Sequence, residues 1–595
     1  MKRSILFIFV LFQCMALFAQ DEAIARQYFE KGEFEKAIVY YKKLYTKNPN
    51  NRSYLMGLVS SYQQSEKYVE AEKVLLQKLD NGNVYPVLYV ETGYNYQLMG
   101  KMQKAETYYN KAIATLDENP NYAYAVGNAF KGKTLLDNAI ATYKKAMKLN
   151  PEFNFNYDLA YIYGEKGDIE NMYEMYLDLM VERANLVGNI KRNLSRFIDS
   201  NVGNENSALF KKLLLKRAQT DPNVLWNELL SWLFIQQGQY KSAYAQEKAI
   251  YKRSPETSLN SIVDLAKIAL ENNDAETAKS IYEFIIAESR DTQLLIHSKL
   301  ELINIDLANA HKKDNAKIET AFKQLLAEYG ENTQTLPIQI AYARFLAFKL
   351  SETDMAEARL KKALELPINK YAEAQIRMTL ADILVYDEKF NQALIYYSQV
   401  QKDLKNDVLG QEARFKVAQT SFYKGDFEWA ETQLKVLKSS TSQLIANDAL
   451  QLKLLISDNK LGDTTQVALK LYAEADLLAY QNNDDGAMAI LSTILSDHKG
   501  EPIEDEALFK QASLFEKHGD YEKAVLDYQK IITFYPTDIL MDDALYKLAM
   551  LYKNELSKPD EAKQLLERII YEHQDSIYLI DARKEYRSIR GDQVE

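Results

Sequence analysis

Gly32-Glu33-Phe34-Glu35-Lys36-Ala37, followed by Tyr41 and Pro49, reads as a turn, a helix start, a small residue one helical turn before an aromatic, and a stop. Proline disfavours helix at the residue before it, so the helix that opens near Phe34 has to close before Pro49. The pattern recurs. Ala37, Ala71, Ala105 and Ala139 are spaced by 34 residues each time. Three other columns keep the same phase: Tyr28, Tyr62, Tyr96 and Phe130; Ala25, Val59, Gly93 and Gly127; Tyr41, Leu75, Tyr109 and Tyr143. A fixed period of this size marks a repeat architecture, in which each unit is one supersecondary element that buries its apolar face on its neighbours.

Composition agrees with an all-helical reading. Among 595 residues there are 20 Gly and 11 Pro, about half the share of an ordinary globular protein, so sandwiches, barrels and Rossmann units lack their turn punctuation. Apolar residues at 47% and charged residues at 26% exclude disorder and collagen-like chains. Tyrosine is abundant, 42 against 23 Phe and 3 Trp, and favours rings that are buried with the hydroxyl near water. A net charge of −11, with no long Lys/Arg run, argues against a nucleic-acid partner.

The phased columns resemble the tetratricopeptide repeat, or TPR, family, whose unit is a pair of antiparallel helices. The resemblance implies a right-handed all-α superhelix, an α-solenoid of about fifteen helix pairs in one array or two sub-arrays. Small residues then sit where helices cross at about 8 to 10 Å, large aromatics fill the adjacent holes, and Pro49, Pro151, Pro255 and Pro536 end second helices. The small-residue column continues through Met172, Ala208, Ala243, Ala278, Ala321, Ala356, Ala393, Ala430, Ala487, Ala524 and Ala562, with Ala208 and Ala321 resting mainly on spacing. The step lengthens to 37 or 38 around Ala393 and Ala524, and the gap of 57 between Ala430 and Ala487 predicts an additional helix over Ser442 to Ser457. Val181 to Asn206 breaks the pattern and reads as a packed joint or hinge.

The expected organisation is a signal peptide at 1–19, a regular array at 20–180, a divergent joint at 181–225, a middle array at 226–440, an irregular insert with one unit at 441–500 and terminal units at 501–595. Lys2 and Arg3 precede an apolar stretch from Ser4 to Leu17, and Ala19 supplies a small residue for cleavage, which is the pattern of a secretory signal. An uncleaved anchor and a lipid-bearing Cys14 are the alternatives, although Leu11-Phe12-Gln13 lacks the small residue of lipoprotein signals. Cys14 is the only cysteine, so a mature chain has no disulfide, no cysteine zinc site and no thiol nucleophile.

Several stretches match chemical motifs. Gly127-Asn128-Ala129-Phe130-Lys131-Gly132-Lys133-Thr134 fits the phosphate-loop pattern letter for letter, which keeps a nucleotide-binding enzyme as a remote alternative, but the residues before it read as helix and the motif needs a strand. Ser421-Phe422-Tyr423-Lys424 and Ser457-Asp458-Asn459 imitate two boxes of penicillin-binding enzymes without the third. Asn483, Asp485 and Gly486 loosely suggest a calcium loop, with Gln481 and Ser492 where acids belong. His297, His311, His498, His518 and His573 lack metal-ligand spacing. No catalytic group, cofactor or metal site is therefore expected.

In TPR proteins the first helix of each unit lines an inner groove. Carried onto this sequence, the resemblance implies partner binding by Arg26, Ser60, Gln63, Tyr94, Gln97, Tyr124, Asn128, Lys131, Tyr157 and Tyr161, with Glu22, Phe29, Met56 and Val90 at neighbouring inward positions. No Lys stands at the earlier inward position beside Asn128, which departs from the clamp that holds a C-terminal carboxylate. Tyr, Met and Gln instead suit an extended peptide or a helix, with aromatic anchors. The segment Phe534-Tyr535-Pro536-Thr537 with Asp542-Asp543-Ala544-Leu545-Tyr546-Lys547-Leu548-Ala549 is similar to periplasmic TPR proteins of envelope assembly, including the barrel-assembly TPR lipoprotein and the YbgF-type coordinator. That resemblance implies an exported, non-enzymatic scaffold, periplasmic or associated with the outer membrane, with proteins, extended peptides or an outer-membrane complex as partners. A regulatory partner of a polysaccharide-export or cell-wall enzyme is the alternative.

Overall fold

The computed structural model describes residues 21–80, 84–253, 258–437, 442–460 and 466–592. The signal-peptide reading of 1–19 and Pro255 lie outside them. Among the described residues the regular structure is helical throughout, with short 3-10 turns and no strand. No helix among them is long and apolar enough to cross a membrane.

The first units are helix pairs in register with the 34-residue period. A helix over 21–30 pairs with Phe34–Lys47, Arg52–Gln64 with Tyr68–Leu79, Val87–Leu98 with Met102–Ala114, Ala123–Gly132 with Leu136–Leu149, and Asn156–Glu165 with Ile169–Glu182. The turn inside each pair is made by one residue in the left-handed region. Gly32, Glu66, Gly100 and Thr134, each 34 after the last, have φ of 75°, 58°, 73° and 58°. After Thr134, the Leu135 amide donates to the Phe130 carbonyl at 3.0 Å and the Thr134 amide to Lys131 at 3.0 Å, closing the helix end. Glycine adopts this conformation freely, whereas Glu66 and Thr134 hold it against their Cβ atoms.

Packing follows the small/large columns. Ala37, Ala71, Ala105 and Ala139 are fully buried, as are Ala243, Ala278, Ala356, Ala393, Ala430, Ala487, Ala524 and Ala562. A Cβ built on Gly93 would lie 2.4 Å from the Tyr109 ring, and one on Gly127 2.4 Å from the Tyr143 ring. Each glycine is therefore the socket for the aromatic sixteen residues on. The two positions that rested on spacing depart from the column. Ala208 is exposed and its neighbour Ser207 is buried, while Ala321 is half-buried beside fully buried Phe322. A shift of one residue turns a helix face by about 100°, and spacing alone could not fix which residue points inward.

The chain divides into two compact units, one through Ala278 and one from Lys279; the division falls within the stretch 226–440. In the first, the segment 181–225 is packed. Val187–Leu194 and Glu205–Thr220 are helical, and Arg217 bonds to Glu174, with Nη1 2.7 Å from Asp178, both on Ile169–Glu182. In the second, the pairs continue through Lys370–Tyr386 with Phe390–Asp403 and Val408–Tyr423 with Phe427–Leu437. The additional helix then appears as Gln443–Lys460. Val467–Tyr480 with Asp484–Asp497, Glu504–His518 with Tyr521–Phe534 and Met541–Asn554 with Pro559–Glu572 follow, and Leu579–Arg590 closes the unit.

Candidate protein-binding face

The first helices of the N-terminal units carry the residues expected to meet a partner, and their local chemistry differs along the row. Arg26 is exposed and bonds its own helix through Glu30 at 2.8 Å. Ser60 is half-buried. Gln63 is 5% exposed, with its amide nitrogen unpartnered, and Val90 is fully buried, so both belong to the interior and not to the lining. Gln97 accepts from the Tyr109 hydroxyl at 2.8 Å, and Asn128 accepts from Tyr143 at 3.4 Å. These two amides therefore cap the buried ends of core tyrosines, whose ionisation is pushed up by burial. Only their outer edges reach the surface.

The tyrosines separate into two classes. Tyr109, Tyr143 and Tyr173, on second helices, are buried; Tyr124, Tyr157 and Tyr161, on first helices, are 63%, 50% and 49% exposed. Tyr157 stacks edge-on against Tyr176 with ring centroids 6.2 Å apart. Tyr161 lies beneath the Lys131 ammonium, 5.4 Å from its ring, and Lys131 is 3.9 Å from Asp158. A hydrogen bond to Glu165 also raises the Tyr161 pKa. Lys131, Asp158, Tyr161 and Tyr157 thus come together on two successive first helices, and Tyr124 stands on the helix that carries Lys131.

Tyr94 belongs to a second cluster. The Lys133 ammonium sits 4.6 Å from the Tyr94 ring and 3.1 Å from a carboxylate oxygen of Glu91. Glu91 is nearly fully buried, and the sequence reading passed over it. The available clue was a carboxylate two positions before Gly93 in a helix, Val87–Leu98, that carries no other charged residue. A desolvated carboxylate of that kind requires a cation.

This pairing also settles the phosphate-loop match. Gly127 to Gly132 lie in the helix Ala123–Gly132, so their amides are committed to the helix and cannot cradle phosphate. Lys133 is held by Glu91, and Thr134 is the left-handed turn residue. The other motif matches have local structural roles. The Ser421 hydroxyl is buried and donates to the Val417 carbonyl at 2.8 Å, and Lys424 reaches Asn391 at 2.9 Å. Asn483 caps the helix Asp484–Asp497, accepting from the Gly486 amide at 3.2 Å. Among the described residues no group of three His, Cys, Asp or Glu is placed to hold a metal ion.

Two models of the tetratricopeptide repeat match the sequence, one at residues 23–51, 506–538 and 543–576 and the other at 87–115 and 120–153. No curated protein matches. Among solved structures, a chain of Naa15/Naa10 bound to HypK-THB is 13% identical over 96% of both chains, with a TM-score of 0.26. PilW, described as a widely conserved type IV pilus biogenesis factor, is 16% identical over 41% of this chain and 94% of its own, with a TM-score of 0.26. Yeast Tom70 is 16% identical over 89% of this chain and 98% of its own, with a TM-score of 0.29. Helix pairs in phase with the buried alanine column and the matched segments at both ends lead to one conclusion: the chain carries tetratricopeptide repeats, helix-pair units that suggest a protein-interaction scaffold.

Proposed function

We propose that this chain is an exported scaffold, and not an enzyme, that holds segments of partner proteins against the first helices of its N-terminal repeats in the periplasm of a Gram-negative-type bacterium, during envelope assembly or secretion. The observation that carries the reading is the exposure of Tyr124, Tyr157 and Tyr161 on three first-helix positions while Tyr109, Tyr143 and Tyr173 of the neighbouring second helices are buried. A side chain used only for packing has no reason to leave half its ring in water. Tyrosine supplies large contact area at low entropic cost, and buried aromatic anchors carry most of the affinity of such interfaces. Lys131 and Asp158 beside Tyr161 add polar contacts at the rim. Export rests on the charged, apolar and small-residue pattern of the first nineteen residues, and the envelope role on the resemblance of the C-terminal repeats.

A peptide array of envelope proteins probed with the chain lacking residues 1–19 tests the reading. Captured peptides should lose about tenfold or more in affinity when Tyr124, Tyr157 and Tyr161 are changed together to Ala. Capture that is indifferent to those three changes counts against the face, and fractionation of the tagged full-length chain with the cytosol counts against export.

A further inference from the structure

Between the inserted helix Gln443–Lys460 and the C-terminal repeats lies a space lined mainly by carboxylates and apolar side chains. Two adjoining cavities of about 480 and 600 Å³ share Gln451, Leu454, Ile539 and Asp543. Along the inserted helix they run from Asn447 to Asp458, about 16 Å at 1.5 Å per residue, roughly three turns of a helix laid alongside. Leu452, Leu455, Tyr472 and Phe509 line the inner cavity, and Ile539 and Ile577, 57% and 74% exposed, stand toward the outer one. Asp448, Asp458, Glu506 and Asp543 face the first cavity; Asp538, Asp542 and Asp575 face the second. Neither is lined by a Lys or Arg, and His573 is the one basic side chain.

The protein itself compensates these carboxylates only in part. Asn459, more than nine-tenths buried, donates to one Glu506 oxygen at 3.0 Å, but the other oxygen is buried without a partner. Burial and neighbouring Asp505 push the Glu506 carboxyl well above the carboxylate range, and burial raises Asp538 and Asp543. Asp543 is eased by the Tyr578 hydroxyl at 2.8 Å and by Lys547. Lys460 and Lys510 are committed to Glu431 at 2.6 Å and Asp476 at 2.5 Å. A cation entering the trough would find one buried carboxylate oxygen, on Glu506, without a partner, and the exposed carboxylates of Asp448, Asp458, Asp538 and Asp575 around it.

We propose that this trough is a docking site for a cationic amphipathic segment of a partner protein, with Lys or Arg meeting the carboxylates and an apolar face seated on Leu452, Leu455 and Phe509. The apolar floor distinguishes such a segment from a bare polyamine, and no three of the carboxylates converge as metal ligands would among the described residues. The chain's own charge of −11 favours a foreign segment over a second copy. This surface is independent of the tyrosine face, and its failure would leave that reading untouched.

The probe is a fluorescein-labelled peptide of Lys and Leu in an i, i+3, i+4 pattern, titrated with the full chain and followed by anisotropy. It should bind, weaken as salt rises, and lose about tenfold in affinity with the Asp458→Asn/Glu506→Gln/Asp543→Asn variant. The Glu-for-Lys counterpart should not bind. A charge-matched variant at exposed positions of the same unit, Glu522→Gln/Asp560→Asn/Glu561→Gln, should bind as the wild type does. No binding, or an equal loss in both variants, overturns the proposal. Should the trough variant unfold, a benzophenone in the peptide reads the site on the wild-type chain: crosslinks within 447–458 and 536–543 support it, and crosslinks elsewhere overturn it.

Discussion

Gly127 and Gly132 lie on one helix, Ala123–Gly132, and the structure assigns opposite signs to the same substitution at the two positions. A Cβ on Gly127 would meet Tyr143 Cζ at 2.4 Å, Cε1 at 2.5 Å and the hydroxyl oxygen at 2.8 Å. Ordinary contact between such atoms is about 3.5 to 4.0 Å, so the ring must retreat by about 1 Å. It has nowhere to go, being fully buried and stacked on Phe155 with centroids 4.7 Å apart. Overpacking of this kind costs about 1 to 3 kcal/mol, and the better helix propensity of alanine returns at most about 1 kcal/mol. Gly127→Ala should therefore destabilise by about 1 to 2 kcal/mol net. At Gly132 nothing lies within 4 Å, so Gly132→Ala should be neutral to stabilising by up to about 1 kcal/mol. Urea unfolding followed by far-UV ellipticity gives the difference, and hydrogen exchange over residues 123–149 localises it. In a Tyr143→Leu background Gly127→Ala should cost less, with a coupling above about 0.5 kcal/mol. Equal signs at the two glycines, or an additive cycle, would refute the glycine–tyrosine socket.

Other expectations follow from the same packing and electrostatics. Ala105→Leu should overpack the closest helix crossing by about 1 to 3 kcal/mol, while Lys101→Gln should be nearly silent in the same urea assay; equal effects would mean the register is misplaced. Thr134→Gly should raise stability by about 0.5 to 1 kcal/mol by relieving a β-branched residue at positive φ, whereas a phosphate-loop Thr would show its loss in nucleotide binding. Lys133→Ala should leave calorimetric titration with ATP as flat as the wild type and should cost up to about 3 kcal/mol by stranding Glu91, recovered in part by adding Glu91→Gln. Asp527 is buried and its pKa is raised above the ordinary 3.8 by that burial, against the opposing pull of Lys530. Its contribution is then fully present below 3.8 and is lost as pH rises through the raised folded value, so Asp527→Asn should gain stability relative to the wild type as pH rises above 3.8. A pH-independent difference would contradict this.

What the sequence made legible was whatever the period repeats. Ala105 and Ala139 could be placed because Gly93, Gly127, Tyr109 and Tyr143 keep step with them, and the gap between Ala430 and Ala487 announced the helix that appears as Gln443–Lys460. Where only the spacing placed a residue the phase slips by one, as at Ala208 and Ala321. Contacts between units leave no periodic trace. Lys133 and Glu91 are 42 residues apart, and Lys133 drew attention as part of a nucleotide motif while Glu91 drew none. The acidic trough was equally hidden, because its carboxylates are scattered from Asp448 to Asp575 and become neighbours only once the inserted helix stands beside the C-terminal repeats. Exposure of Tyr124 against burial of Tyr143 was legible in part: column membership marked Tyr143 as packing, but a tyrosine outside the columns could have pointed either way.

The most direct measurement of the central claim is site-specific photocrosslinking of the full-length chain in its native cell, with benzoylphenylalanine at Tyr124 or Tyr157 compared with the same group at Val69, an exposed position on a second helix. Discrete crosslinked protein partners from the two tyrosine positions and none from Val69 are predicted. Crosslinking that is the same from all three positions, or confined to Val69, would contradict a protein-binding inner face.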